Sequence, residues 1–330
     1  MKILITGITG FVGSHLAEYI LNLKQEHQVF GFCRWRSPRE NLADIYDKVK
    51  LLAADLLDLG SLIRQIEAVK PDVIFHLAAQ SYVLTSFDSP VHTLWTNAIG
   101  TTNLLEAVRI TKIDPVIHVC SSSEVYGQVT EADVPIKETC PFKPASPYAV
   151  SKVAEDMVAL QYWLSYKLRT IRTRMFTHTG PKRGDVFAMS FFAKQVAAAE
   201  AKLKPAVIRV GNLKSVRTFC DVRDAVKAYW ILVNKCPAGE VYNIGGNRTM
   251  TIGEALEMLL SFSKMKFEIK VDPELLRPSD VTLQIPCIDK FKNATGWEPE
   301  IPLEKTLSDM LAYWRQELSR NQWKALTLTK

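Results

Sequence analysis

Short runs of apolar and β-branched residues alternate along the first half of the chain with longer segments whose apolar positions recur every three or four residues. The runs are Ile3 to Thr6, Val29 to Cys33, Lys50 to Ala54, Val73 to Leu77, Val116 to Cys120 and Thr170 to Met175. Each has the length of a strand. They are continuously apolar rather than alternating, so both faces of their sheet should be covered by helices. Strand and helix in alternation predict a parallel, doubly wound α/β sheet, with ligands gathering at the strands' C-terminal ends.

Beyond Met175 the pattern loosens into loops containing Gly and Pro, a helix-like segment near Phe187 to Ala201, and smaller units to the end. This predicts a second, smaller α/β lobe, C-terminal and suited to substrate. Val222 to Val233 and Glu240 to Ile244 could rejoin the first sheet. The expected division is therefore 1–175 plus about 213–244 for one domain, and about 176–212 plus 245–330 for the other.

Length and composition exclude several classes. At 330 residues and 47% hydrophobic, the chain can bury a large core, and disorder is not a serious reading. A net charge of +6, spread rather than massed, does not point to nucleic acid; a local anionic ligand such as a diphosphate fits better. No apolar stretch approaches the roughly 20 residues of a membrane span. Met1 leads directly into Lys2 to Thr6, so a cytoplasmic protein is expected, without signal peptide or membrane association. Six cysteines, none in a CxxC pair, read as reduced and structural. The six dispersed histidines predict no metal site.

Chemistry enters at the first strand's end. Gly7, Gly10 and Gly13, with Thr9, Phe11 and Val12 between them, open a helix-period segment through Leu16, Ala17 and Ile20. A tight turn, close backbone approach to a pyrophosphate and close helix packing each call for glycine, and the helix N-terminus favours phosphate. The spacing is GxxGxxG, a variant of the dinucleotide fingerprint of Rossmann folds. An acid at the end of the second strand would hold the 2′-hydroxyl of NAD. This chain offers Arg34 and Arg36, suited to the 2′-phosphate of NADP. Two solvated surface arginines are the competing reading. Asp55, followed by Leu56, is placed to meet the adenine edge.

Tyr148 and Lys152 lie four apart at the start of a helix-period segment and share one face. An ammonium beside a phenol, together with an oxidised nicotinamide, favours the phenolate. Tyr148 is thus expected to act as a base well below its reference pKa of about 10. The fifth strand runs into Ser121, Ser122, Ser123 and Glu124, where Ser122 could bond the reacting substrate oxygen and Glu124 supplies a second acid or base. Turn-capping hydroxyls and a solvated carboxylate would be the structural alternative.

TGITGFVG, HLAAQS, SSSEVYG and SPYAVSK, in that order and spacing, resemble the extended short-chain dehydrogenases/reductases. More narrowly, FTHTGPKRGDVF, VGNLKSVRTFCDVRD and LLRPSDV resemble the enzymes of GDP-mannose, the 4,6-dehydratases and the GDP-4-dehydro-6-deoxy-D-mannose reductases, to about residue 320. The resemblance implies NADP, with NAD as a second option, and a GDP-sugar substrate. It implies that Leu77, Ala78, Ala79 and Ser81 line the nicotinamide side, that His178 and Arg183 hold cofactor, and that the chain is a homodimer or homotetramer built on the helices carrying Tyr148 and following Val91. In the second lobe Lys194, Arg217 and Arg277 suit a diphosphate. The Gly211, Asn212, Leu213 turn suits a base edge. Thr177 and Ser123 join the implied substrate side.

The two activities differ in what they ask of Glu124. A dehydratase moves hydride from C4 to C6 with loss of water, and needs Glu124 for the C5 proton and the departing C6 hydroxyl; a reductase does not. Ser122 in place of the usual threonine, Phe11 and Val12 in place of a Gln-Asp pair, and Thr177 in place of asparagine depart from the dehydratase pattern. The first two, with the segment IPLEKTLSDMLAYW, favour a reductase; Glu124, the Arg34 to Ser37 stretch and the KRG loop favour the dehydratase. Further alternatives are action on another nucleotide sugar and a dinucleotide-binding redox sensor without turnover.

Overall fold

The computed structural model describes the backbone of residues 1–328 and the side chains of residues 1–320. Its large sheet contains strands β1 (Lys2–Thr6), β2 (Gln28–Cys33), β3 (Val49–Ala53), β4 (Val73–His76), β5 (Val116–Ser122) and β6 (Thr170–Met175), the six expected runs to within two residues at each end. Three short strands follow in the smaller lobe: β7 (His178–Thr179), β8 (Val207–Val210) and β9 (Val216–Asp221). Then β10 (Val241–Ile244) returns to the large sheet, and β11 (Arg248–Thr251), β12 (Glu268–Val271) and β13 (Leu283–Gln284) complete the small sheets.

The large sheet has the order β10-β6-β5-β4-β1-β2-β3, every pair parallel. The helices are α1 (Phe11–Leu21), α2 (Leu59–Val69), α3 (Val83–Asp88), α4 (Pro90–Leu94), α5 (Gly100–Thr111), α6 (Pro147–Tyr166), α7 (Ala188–Glu200), α8 (Val222–Lys235), α9 (Ile252–Leu260), α10 (Asp289–Thr295) and α11 (Leu303–Leu328). Successive residues of β1 serve opposite cores: Ile3 and Ile5 pack with Leu16, Ile20, Val226 and Tyr229 of α1 and α8, while Leu4 packs with Leu62, Ile66, Leu104 and Val108 of α2 and α5. Each such side chain stabilises the fold by about 1.5–3 kcal/mol, which is why the strands read as unbroken apolar runs. In the second lobe α7, α9 and α11 enclose a separate core around Phe192, Val196, Leu256 and Leu307.

The chain re-enters the large sheet later than the expected boundary near 213. β9 pairs with β11 and β13 in the small sheet, so the crossing back begins at α8. Phe291 of α10 and Trp297 also pack into the first-lobe core. The cleft between the lobes lies at the C-terminal ends of β1, β4 and β5.

Candidate active site

The walls of this cleft are set by how its helices start. At α6 the Ser146 side chain accepts from the Ala149 amide at 3.1 Å and Pro147 occupies the first turn, which fixes where Tyr148 and Lys152 emerge. Helix α1 has no such cap: its N-cap is Gly10, without a side-chain bond, and its first turn holds no acid. Its amides are left for a ligand. Gly7, at φ +72°, would push a Cβ to 2.9 Å from the Ala78 backbone, and a Cβ on Gly13 would lie 2.3 Å from the Gly7 carbonyl oxygen. Only glycine keeps this cradle open.

The cavity it opens into measures about 1130 Å³, and most of the expected site residues line it. Thr9, Gly10, Phe11 and Val12 form one end with Arg34, Asp55 and Leu56; Leu77, Ala78, Ala79 and Ser81 form the floor; Ser122, Ser123, Glu124, Tyr148 and Lys152 stand at the centre. Thr177, His178, Arg183, Gly211, Asn212, Arg217 and Arg277 close the second-lobe side. Three expectations are not met in this way. Arg36 lies outside the lining, its guanidinium stacked 4.2 Å from the Trp35 ring. Lys194 is likewise outside, drawn 2.6 Å from Asp185. Leu213 is apolar enough to pack against the second-lobe core instead.

At the cofactor end, Arg34 is exposed and makes no salt bridge among the described residues, while its backbone is held in a turn by Ser37 at 3.0 and 3.1 Å. Asp55 accepts from the Leu57 amide at 2.9 Å. The floor is built by a chain of bonds that the sequence does not announce. Amides of Leu77 and Ala78 donate to Thr6 Oγ1, each at 3.1 Å. That hydroxyl is 2.8 Å from His76 Nδ1, and His76 Nε2 is 2.8 Å from Thr101 Oγ1, which donates to the Asn97 carbonyl. The sequence of donors requires neutral His76 with its proton on Nε2. Burial, then Lys152, presses its pKa down to about 3, in agreement. Asn97 then links Gln80 to Ser151 of α6, at 3.0 and 2.8 Å.

At the centre, Lys152 Nζ donates to the Cys120 carbonyl at 2.8 Å and to Glu155 Oε2 at 2.6 Å, and lies 6.0 Å from the Tyr148 ring centre. Burial works against its charge, yet Glu155, Tyr148 and Cys120 hold the ammonium above its ordinary pKa. At Tyr148 the protein's own groups oppose the phenolate, whose expected favouring also counts the charge of an oxidised nicotinamide. Burial outweighs Lys152 and Ser122, and raises the phenol above its usual value instead of lowering it. Glu155 is part of the reason, since it offsets the charge that was to stabilise the phenolate.

The second-lobe side is rich in cations. Arg217 is buried beside Asp280 at 3.8 Å, and burial lowers its pKa against the pull of Glu124 and Asp280. Arg277 stands 3.9 Å from both Glu124 and Asp280. Arg183 donates to the His178 carbonyl at 2.8 Å and lies 4.0 Å from the Phe187 ring, while His178 stacks on Phe11. Burial holds His178 down at about 3, as a neutral ring.

Sequence reasoning did not reach Asn97, Glu155, Asp280 or Gln284. Gln284, on the two-residue strand β13, accepts from Ser123 at 3.1 Å and leaves its Nε2 buried without a partner. Of these only Glu155, three residues past Lys152, carried a usable spacing signal.

Comparison with known proteins places the chain in a family. Residues 4–310 match the family model described as GDP-mannose 4,6 dehydratase. GDP-6-deoxy-D-mannose reductase of Pseudomonas aeruginosa is 33% identical, covering 96% of this chain and 98% of that protein. GDP-mannose 4,6-dehydratase of Yersinia enterocolitica is 31% identical, covering 94% and 93%. Among solved structures, RMD from P. aeruginosa complexed with NADPH superposes with a TM-score of 0.82 at 32% identity, covering 96% of this chain and 99% of that one. UDP-glucose 4-epimerase of Thermotoga maritima reaches 0.85 at 26% identity, covering 96% and 100%.

Proposed function

This chain belongs to the GDP-mannose 4,6-dehydratase family, and from that premise we propose that it is an NADP-dependent GDP-mannose 4,6-dehydratase. It is a nucleotide-sugar-modifying enzyme, and the step left to argue is dehydratase over reductase.

The residues fit the dinucleotide. A cradle that any Cβ would fill, an uncapped α1 and the free guanidinium of Arg34 suit a pyrophosphate and a 2′-phosphate. When bound, NADP supplies the acceptor for hydride from C4 and its return to C6. The chain's own groups move the protons. Tyr148 takes the proton of the C4 hydroxyl while Ser122 holds that oxygen and Lys152 stabilises the phenolate. Glu124 takes the C5 proton and passes it to the C6 hydroxyl, which leaves as water; a proton returned to C5 balances the one Tyr148 took. Arg217 and Arg277 hold the diphosphate.

One observation carries the dehydratase reading. The Glu124 carboxylate lines the cleft two residues beyond Ser122, with Arg277 at 3.9 Å and no side-chain hydrogen bond among the described residues. It is uncommitted. The reductase reading is favoured by Phe11 and Val12 in the glycine turn and by the 33% identity to a reductase along 98% of that protein.

The two separate in a pair of incubations. GDP-mannose with catalytic NADP should give the 4-keto-6-deoxy sugar, and Glu124→Gln should stop this while sparing hydride exchange at C4. Product formed only from the 4-keto-6-deoxy sugar and NADPH, with Glu124→Gln fully active, would make the protein a reductase.

The active unit is a dimer. Val91, Trp95 and Ile99, spaced by four along α4 and the turn joining it to α5, are exposed, as are Val150 and Leu164 of α6, the helix packed against that segment. Such a stripe suits a two-fold pairing of these helices. No helix of the described residues is long and apolar enough to cross a membrane.

A further inference from the structure

Glu155 sits one turn beyond Lys152 on α6 and is 1% exposed. Its Oε2 accepts from Lys152 Nζ at 2.6 Å; its Oε1 is sealed from water and has no hydrogen-bond partner among the described residues. A buried carboxylate with one oxygen unpaired is costly for a fold to keep. The next residue shows the contrast. Asp156, also buried, has both oxygens satisfied, by Arg172 and Arg174 at 2.8 Å each. Asp156 ties α6 to β6. Among the described residues Glu155 bonds only Lys152, on its own helix.

We propose that Glu155 is a positioning residue that sets the proton affinity of Tyr148 through Lys152. With Glu155 ionised, the ammonium is half of a neutral pair and its hold on the phenolate is weakened; with Glu155 neutral, the full cationic charge acts on Tyr148. The inference rests on Tyr148 being the proton-transfer residue.

The other groups facing this pair do not titrate in the neutral range. His76 of β4 and His118 of β5 are held down at about 3 by burial. Burial raises the Cys120 thiol of β5 and the Tyr229 phenol of α8. Arg183, lowered to about 10 by burial, remains a cation, and Asp156 is engaged by its arginines. Burial raises the Glu155 carboxyl toward the neutral range, against the pull of Lys152. The three groups therefore titrate as one coupled unit.

The test compares Glu155→Gln with the unaltered protein. The pH dependence of kcat/KM should move to lower pH by about one unit. The limb set by Tyr148, acid in the oxidising direction and alkaline in the reducing one, shifts the same way because a lost anion favours the phenolate. A second readout needs neither cofactor nor turnover. The ultraviolet phenolate titration, with Tyr148→Phe subtracted in each background to remove the other tyrosines, should show the same downward shift. If Glu155→Gln does not fold, Glu155→Asp, which withdraws the carboxylate from Nζ, carries the test with a smaller downward shift. Reduced activity with both titrations unmoved would make Glu155 structural and overturn the proposal. Full activity in Tyr148→Phe would instead remove the reading beneath it.

Discussion

Arg34 tests cofactor choice at a single side chain. It stands at the end of β2, lines the cleft and has no carboxylate partner among the described residues, so its guanidinium is available to a 2′-phosphate. Charge-assisted bonds to phosphate are about twice as strong as neutral ones. Arg34→Ala should therefore weaken NADP roughly tenfold or more and leave NAD nearly unchanged, in parallel fluorescence titrations. Equal losses for both would remove the phosphate role. Residues of this sort were legible because their chemistry is local: the glycines, Ser122, Tyr148 and Lys152 each announce themselves by position after a strand or by helical spacing. Arg36 shows the limit of that logic, since the same β2 loop also presents Trp35 and the guanidinium stacks there. Glu155 marks another limit. The spacing from Lys152 was visible, but its effect on Tyr148 depends on burial, which only the packed fold supplies.

Two histidines join neighbouring elements and make the fold sensitive to acid. His76 connects β4 to Thr6 of β1 and Thr101 of α5, and His118 connects β5 to Thr173 of β6, at 2.8 Å, beside Tyr229 of α8. Burial lowers both to about 3 from the ordinary 6.5. Between those values the unfolded chain binds protons that the folded one excludes. Their stabilising effect is thus complete above about 6.5 and is lost as pH falls toward 3, at most about 1.4 kcal/mol per pH unit for each ring. Calorimetric Tm should fall through this window, and His118→Gln should make the decline shallower; parallel slopes would show that His118 excludes no proton. The six long strands were readable from their apolar runs, whereas β7 and β13, two residues each, offer no periodicity at all. The segment that forms β9 was likewise grouped with the first domain, as part of 213–244. Its pairing with β11 and β13 is a long-range choice that the sequence pattern leaves open.

At the scale of the whole molecule, α6, which carries Tyr148 and Lys152, also carries exposed apolar residues. One face of α6 lines the cleft with Tyr148 and Lys152, while Val150 and Leu164 of the same helix are exposed, as are Val91, Trp95 and Ile99 of the segment packed against it. Trp95 is 54% exposed, an unusual position for an indole without a partner. In a two-fold pairing each stripe would cover its copy, burying the aromatic at the centre of the interface where most binding energy concentrates. Trp95→Arg disturbs neither core nor cleft; it introduces one charge per subunit, two facing each other across the axis. The variant should sediment as a monomer at concentrations where the unaltered protein is a dimer, with the Tm of the isolated fold lowered by loss of the mass-action stabilisation that association supplies. Dimer in both proteins would place the interface elsewhere, and monomer in both would remove the dimer. A monomer that has also lost turnover would show that pairing holds α6, and with it Tyr148 and Lys152, in working position.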